Sequence, residues 1–212
     1  MICMVTAAIV MPASAVEIGW YRTDGISDGT LNDATAWDVP VETYFYFDVG
    51  NIGLQIVEVE IRFSALHTYT GDLGAVLKSP VGTTVELFRK LAVAYGADQA
   101  NFEDTLFDDD AGAKIMPSDA PFSGTYQVNP FSGAAALGDF DGQNPQGKWT
   151  LIVSDYFPGD TGELLAPGDS VPWRGAGALG TRLFITVPEP ASLTTLAAAA
   201  AFLALRRRRG PA

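Results

Sequence analysis

Aspartates are the side chains of this sequence best suited to chemistry, because they cluster in three short segments, TGDL, FDDDA and SDYFPGDTG. Hard cations such as Ca²⁺ bind several oxygen ligands, and adjacent carboxylates repel one another unless a cation or water screens them. The spacing does not match an EF-hand loop, and solvated, turn-forming aspartates are the alternative interpretation. We predict a calcium site in loops that meet at one end of the fold, with ligands drawn from Asp72, Asp108, Asp109, Asp110, Asp155 and Asp160.

The single histidine, His67, decides whether the chain could be a serine hydrolase. A Ser-His-Asp triad needs this imidazole as its base, beside a serine nucleophile and an oxyanion hole. No serine lies in a G-x-S-x-G turn,. A glycoside hydrolase needs two carboxylates that face each other across a cleft, and this pairing is not readable from the sequence. We predict that His67 forms hydrogen bonds within the fold and that the chain carries no catalytic residues.

Composition excludes several classes of function. The chain has 212 residues and a net charge of −12, whereas a nucleic-acid-binding protein needs a basic surface to displace counterions from phosphates,. The one cysteine, Cys3, lies near the N-terminus. Once the first residues are removed, disulfides, a cysteine zinc site and a cysteine nucleophile are excluded.

Hydrophobic alternation predicts the strands that must position these side chains. In VEVEIRF, Val57, Val59, Ile61 and Phe63 share one face,. The segments LGAVLKS and TTVELF flank PVG and predict a hairpin, and TYFYF, KWTLIVSD and TRLFITV predict further strands,. We predict an all-β fold, a jelly-roll-like antiparallel β-sandwich.

Three residues of KWTLIVSD are expected to anchor the core, namely Trp149, Leu151 and Val153, which share one face of the strand,. Tyr69, Tyr156 and Phe157 are expected to pack in the core or at its rim, with a binding face as the alternative.

The N-terminal segment, residues 1–15, has the features of a signal peptide. A mostly apolar run precedes the small residues Ala13 and Ala15, and we predict that signal peptidase cuts after Ala15,. No Lys or Arg precedes the apolar run, so we infer that the true translation start lies upstream. A buried N-terminal strand is the alternative.

The C-terminal segment, residues 188–209, combines Pro188, Glu189 and Pro190 with an apolar stretch, residues 191–205, which is short for a membrane span,. A basic cluster follows, which would stop export at the cytoplasmic side. This order resembles the PEP-CTERM sorting signal of Gram-negative bacteria. The resemblance implies processing by an exosortase and transient anchoring in the inner membrane; an ordinary membrane anchor is the alternative. The basic cluster consists of Arg206, Arg207, Arg208 and Arg209.

The body of the chain resembles the P domain, or Homo B domain, of proprotein convertases. The motifs HTYTGDLGAVLKSPVGTTVELF, NFEDTLFDDDA, APFSGTYQV and FDGQNPQGKWTLIVSDYFPGDTGEL occur in family order. They match best over residues 57–187, within a domain that we assign to residues 16–187. Residues 165–180 depart from the pattern before the last strand, either as a loop insertion or as an altered strand that contains Trp173.

This resemblance implies a calcium-stabilised module without catalytic residues, of a family that accompanies subtilisin-like serine proteases. We therefore predict an exported module of the bacterial cell surface or extracellular matrix, with a binding or structural role and an exopolysaccharide or a surface protein as ligand. Two alternatives stay open. The chain could be a partner of a separately encoded subtilisin-like protease, or a carbohydrate-binding module that uses exposed aromatics such as Tyr156 or Trp173.

Overall fold

Ten β-strands and three short 3₁₀ turns form the part of the chain that the structure, a computed structural model, describes: residues 15–23, 29–91, 101–131, 133–171 and 177–189. The strands are β1 Ala15–Tyr21, β2 Val41–Val49, β3 Glu58–His67, β4 Leu73–Lys78, β5 Thr84–Arg89, β6 Phe102–Phe107, β7 Thr125–Tyr126, β8 Gly147–Asp155, β9 Gly162–Leu164 and β10 Arg182–Pro188. The 3₁₀ turns are Thr70–Asp72, Pro117–Asp119 and Leu137–Phe140.

The strands form two sheets. The first has the order β1-β10-β3-β6-β7, with β9 also paired to β3, and the second has the order β2-β8-β4-β5. All strand pairs are antiparallel except β6 with β7. The predicted all-β fold with two sheets is therefore confirmed, with a parallel pair that the sequence did not indicate.

The predicted hairpin is the β4–β5 pair. The Ser79 N–H donates to the Thr83 carbonyl (2.8 Å), and the Gly82 N–H donates to the Ser79 carbonyl (3.0 Å). Gly82 has a φ of +98°, which a residue with a Cβ rarely adopts,. The turn therefore explains the PVG sequence between the two strands.

Alternation places hydrophobic side chains between the sheets, as expected from a pleated strand. Val59, Ile61 and Phe63 of β3 are buried, and so are Trp149, Leu151 and Val153 of β8. The rings of Phe88, Phe102 and Phe122 stack in succession, with 4.7 Å between neighbouring centroids. Val57 departs from the prediction: it is 47% exposed, because β3 begins only at Glu58.

Strand β1 forms one edge of the first sheet and pairs along its whole length with β10. Ala15 lies opposite Pro188, so the predicted signal-cleavage residue and the first residue of the Pro-Glu-Pro motif are neighbours. The predicted sites at Ala13, Pro190 and the basic cluster, like Trp173, lie outside the described residues. Within the described part of the chain, no helix is long and apolar enough to cross a membrane.

The described residues between β9 and β10 form irregular structure. These residues, 165–171 and 177–181, contain no strand. The Gly168 N–H donates to the Ala178 carbonyl (2.9 Å), and the Ala178 N–H donates to the Asp169 carbonyl (2.8 Å). These bonds close the loop on itself at its base.

Candidate functional site

The six predicted calcium ligands do not meet at one end of the fold. Asp72, Asp155 and Asp160 lie near His67, where β3 ends, whereas Asp108 and Asp110 lie near Glu58, where β3 begins. Ten residues of strand separate the two groups by about 30 Å,. The prediction of a single loop cluster was wrong because β6 runs antiparallel to β3. The residues after β6 therefore return to the start of β3.

Carboxylates of Glu58, Asp108 and Asp110 form what we call the acidic cluster. One oxygen from each lies within 4.8 Å of the others. The Asp110 N–H donates to Asp108 Oδ1 (2.7 Å), which fixes the turn that presents both residues. Burial raises the pKa of Glu58, and the charges of Asp108 and Asp110 raise it further,. The cluster thus concentrates negative charge that a cation would relieve.

The surroundings of the acidic cluster extend it into a small depression. A cavity of about 330 Å³ is lined by Glu58 and Asp110 of the cluster together with Val57, Val59, Asp109, Gly138 and Asp141. Asp109 is oriented by the Gly138 N–H, which donates to its Oδ2 (2.7 Å).

Glu60, two residues along β3, is a second carboxyl with an altered proton affinity. Burial raises its pKa to about 7, with further contributions from a hydrogen bond to Glu17 and from the charge of Asp108. Alternation in VEVEIRF places Glu60 on the face of β3 opposite to Val59 and Ile61,. Its burial follows from β10, which pairs with β3 and places Phe184 opposite Glu60.

At the other end of β3, His67 and Asp155 form a buried pair. His67 Nε2 lies 3.3 Å from Asp155 Oδ2, and His67 Nδ1 lies 2.8 Å from the Tyr69 carbonyl oxygen. The second Asp155 oxygen accepts a hydrogen bond from the Phe157 N–H (3.0 Å). The prediction that His67 forms hydrogen bonds within the fold is confirmed, and both of its ring nitrogens are engaged.

Asp72 lies beside this pair and is only 4% exposed. Burial raises its pKa to about 7, and the charges of Asp155 and Asp160 raise it further, while His67 lowers it,. Asp160 Oδ1 accepts a hydrogen bond from the Thr68 hydroxyl (2.6 Å). Asp72 therefore holds a proton at a pH where an exposed aspartate would be ionised.

Beyond this pair, the loops form what we call the aromatic groove, a cavity of about 430 Å³. Trp37 is 75% exposed at its rim and packs edge-to-face against Phe157, with 5.3 Å between ring centroids. Tyr156, by contrast, is 9% exposed, so the predicted packing of this residue is confirmed. The groove is lined by Trp37, Tyr69, Gly71, Asp72, Lys90, Phe157, Pro158 and Asp160.

Sequence reasoning missed Trp37 and Lys90 as site residues. Trp37 lies a few residues before β2, and Lys90 directly follows β5. Neither segment shows a clear alternation of hydrophobic and polar residues. The sequence feature that could have identified this site is Trp37, a large aromatic residue within the polar stretch DATAWDVP. A large aromatic in a turn-rich segment is either a core anchor or a contact residue.

The glycines of GDTGEL have separate structural reasons. Gly159 has a φ of +110°, which suits the turn after β8,. Gly162 pairs with His67 between β9 and β3, and a Cβ there would overlap His67 Cδ2 and approach the Leu66 carbonyl to 2.9 Å. The motif therefore keeps space for the buried imidazole.

Comparison with known proteins confirms both resemblances. The family model of the proprotein convertase P-domain matches residues 56–166, and that of the PEP-CTERM protein-sorting motif matches residues 186–209. No curated protein sequence matches the chain.

Solved structures of a serine protease from Aeromonas sobria resemble the chain at 14% identity. The structure of the protease with the chaperone ORF2 has a TM-score of 0.39, with 83% of this chain and 27% of that chain covered. The structure of the protease alone has a TM-score of 0.41, with 82% of this chain and 27% of that chain covered. The chain therefore spans about a quarter of the length of these proteases.

Proposed function

This chain belongs to the proprotein convertase P-domain family, and we propose that it is a non-catalytic module of the bacterial cell surface or extracellular matrix, with a binding or structural role. The P domain is a non-catalytic module that is associated with subtilisin-like proteases. The sorting motif at residues 186–209 indicates an exported protein that an exosortase processes. The combination of these two matches carries the proposal.

The contacts of His67 support a structural role for this residue, although a histidine is the side chain that most often acts as a general base. A general base must reach the proton that it abstracts in a substrate. Both ring nitrogens of His67 are instead occupied by the Tyr69 carbonyl and the Asp155 carboxylate, and the side chain is fully buried. The pair therefore ties the end of β3 to the end of β8.

Calcium is the cofactor that we propose for the acidic cluster. Three carboxylates within 4.8 Å of one another match the hard oxygen ligands that Ca²⁺ prefers,. Burial raises the pKa of Glu58, and the charges of Asp108 and Asp110 raise it further,. Glu58, Asp108 and Asp110 would hold the ion, which would neutralise their charge and join β3 to the turn after β6. The group at Asp72 is a weaker candidate, because the Asp155 oxygens already bond to His67 and Phe157.

Docking onto a separately encoded subtilisin-like protease is the second candidate function. Membership of the P-domain family favours it, because these domains accompany such proteases. In this case the module would stabilise its partner and contribute no reacting group. Co-isolation with a protease after mild cross-linking, in the native host, would distinguish it from a module that acts alone.

Mass spectrometry of the protein purified from its native host tests the main proposal. We expect a mature N-terminus at Val16, a new C-terminus at or near residues 188–190, and recovery from the cell surface or the medium. An uncut polypeptide in the cytosol would contradict export and sorting. Cleavage of peptide, ester or glycoside substrates by the purified protein would contradict the non-catalytic role.

A further inference from the structure

The aromatic groove carries one strongly exposed aromatic side chain at its rim. Trp37 is 75% exposed, and its ring continues the surface formed by Phe157 and Tyr69. A concavity lined by aromatic side chains, with one of them strongly exposed at its rim, is typical of a ligand-binding groove. The volume of about 430 Å³ lies within the range of small-ligand sites,.

Contacts within the protein fix the backbone next to Trp37 in the absence of a ligand. Asp38 and Lys90 form an ion pair, and each adopts a positive φ, 63° and 45° respectively. The Asp38 N–H donates to the Tyr156 carbonyl (2.8 Å), which ties the Trp37 segment to the end of β8. Non-glycine residues in this conformation are costly and concentrate at binding sites. A fixed frame reduces the entropy lost on binding.

Charges in the groove argue against an ionic ligand. Lys90 Nζ lies 5.1 Å from the centroid of the Tyr156 ring and 5.4 Å from that of Phe157, so the protein already supplies a cation to these aromatic faces. A cationic group would compete with Lys90 for these aromatic faces, and an anionic ligand would meet the Asp160 carboxylate while Lys90 is already paired with Asp38. A neutral ligand with hydroxyl groups meets neither obstacle.

Carboxyl groups at the floor of the groove suit hydroxyl groups. Asp72 and Asp160 line it together with the aromatic rings. An ionised carboxylate accepts hydrogen bonds from hydroxyls, and a protonated carboxyl can also donate one. Sugars combine such hydroxyls with an apolar ring face that packs on an aromatic side chain.

We propose that the aromatic groove binds a neutral polysaccharide, with Trp37 packed against the apolar face of a sugar ring and Asp72 and Asp160 bonded to its hydroxyls. This inference rests on the binding role in the proposed function and names the ligand class and the site. It differs from the sequence-based expectation, which had placed the aromatic contacts at Tyr156 and Trp173.

Isothermal titration calorimetry of the full-length chain in mild detergent tests the proposal. The probes are neutral hexasaccharides of β-1,4-glucose, β-1,3-glucose and β-1,4-mannose, with hexamers of glucosamine as a cation and of galacturonate as an anion. We expect binding of at least one neutral probe and at least about tenfold weaker binding by Trp37→Ala, since an aromatic contact of this size is lost. Trp37→Tyr keeps an aromatic face and should retain most of the affinity.

The matched control is Phe131→Ala, because Phe131 is 71% exposed but does not line the groove. We expect this variant to bind like the wild type. The proposal is overturned if no neutral hexasaccharide binds, if only a charged hexamer binds, or if Trp37→Ala binds as tightly as Phe131→Ala. Export and processing are measured separately at the mature termini, so a negative result here leaves them intact.

Discussion

His67 Nε2 lies 3.3 Å from Asp155 Oδ2, and both side chains are buried between the end of β3 and the end of β8. These strands belong to different sheets, so the pair links the two layers of the sandwich. A buried polar group stabilises a fold when it is bonded and destabilises it when a partner is removed. We therefore expect that removal of either partner of the pair lowers the free energy of unfolding.

Replacement of His67 by alanine should lower the free energy of unfolding by about 3 kcal/mol, because it leaves a cavity and deprives the buried Asp155 of a partner,. Chemical denaturation of the full-length chain measures this change. Val81→Ala, at a 64% exposed position in the β4–β5 turn, is the control and should change stability by no more than about 0.5 kcal/mol,. A similar small change in His67→Ala would contradict a structural role for the pair.

A methyl group at Gly162 should destabilise the fold through the same imidazole. Its Cβ would overlap His67 Cδ2, and overpacking of this kind costs about 1–3 kcal/mol,. The matched control is Gly112→Ala, where a Cβ would have no neighbour within 4 Å. Thermal melts of the two variants should differ clearly, with only Gly162→Ala lowering the Tm. Equal melting temperatures would show that β9 moves to accept the methyl group.

Stability should fall as the pH rises from about 4 to about 7, because the pKa of Asp72 is raised from 3.8 to about 7 in the folded protein. In this window the folded chain keeps a proton that the unfolded chain has released, so each pH unit costs up to about 1.4 kcal/mol. Asp72→Asn carries an amide in place of the protonated acid and should therefore show a shallower slope. Urea titrations at a series of pH values measure it.

Glu60→Gln is the comparison variant for the pH dependence of stability. The pKa of Glu60 is also raised to about 7, but Glu60 lies near the opposite end of β3 from Asp72. Because the two sites are far apart, their effects on the slope should add in the double variant. An unchanged slope in Asp72→Asn would show that this carboxyl is ionised in the folded protein.

Calcium should raise the melting temperature through the acidic cluster. At about 100 times the Kd, bound calcium would stabilise the folded chain by about 2.7 kcal/mol, which corresponds to about 5–10 °C at this size. Asp108→Asn should abolish most of the shift, whereas Asp48→Asn, an exposed carboxylate on β2, should preserve it. Identical melts in calcium and in chelator would remove calcium from the proposal.

Much of the scaffold could be predicted because its signals are local. Alternation in VEVEIRF and KWTLIVSD identified β3 and β8, and the PVG turn identified the β4–β5 hairpin. These features depend on neighbours within a few residues. The short strands β7 and β9 have only two and three residues, too few for a period to be recognised.

The sites could not be predicted to the same extent, because they depend on strand order. Asp108 meets Glu58 only because β6 pairs with β3, and Trp37 meets Phe157 only because the segment before β2 lies beside the end of β8. Both contacts join residues that are far apart in sequence. Sequence reasoning therefore identified the aspartates individually but misjudged which of them are neighbours.

Because β10 runs antiparallel to β3, the chain leaves the first sheet at the end where β3 begins. Thr186 lies opposite Glu58, so the chain leaves the sheet toward the sorting motif at the end that carries the acidic cluster. The aromatic groove follows His67 at the other pole, about 30 Å away,. In a protein tethered to a membrane by its Pro-Glu-Pro segment, the length of the sandwich would separate the Trp37 face from the membrane surface.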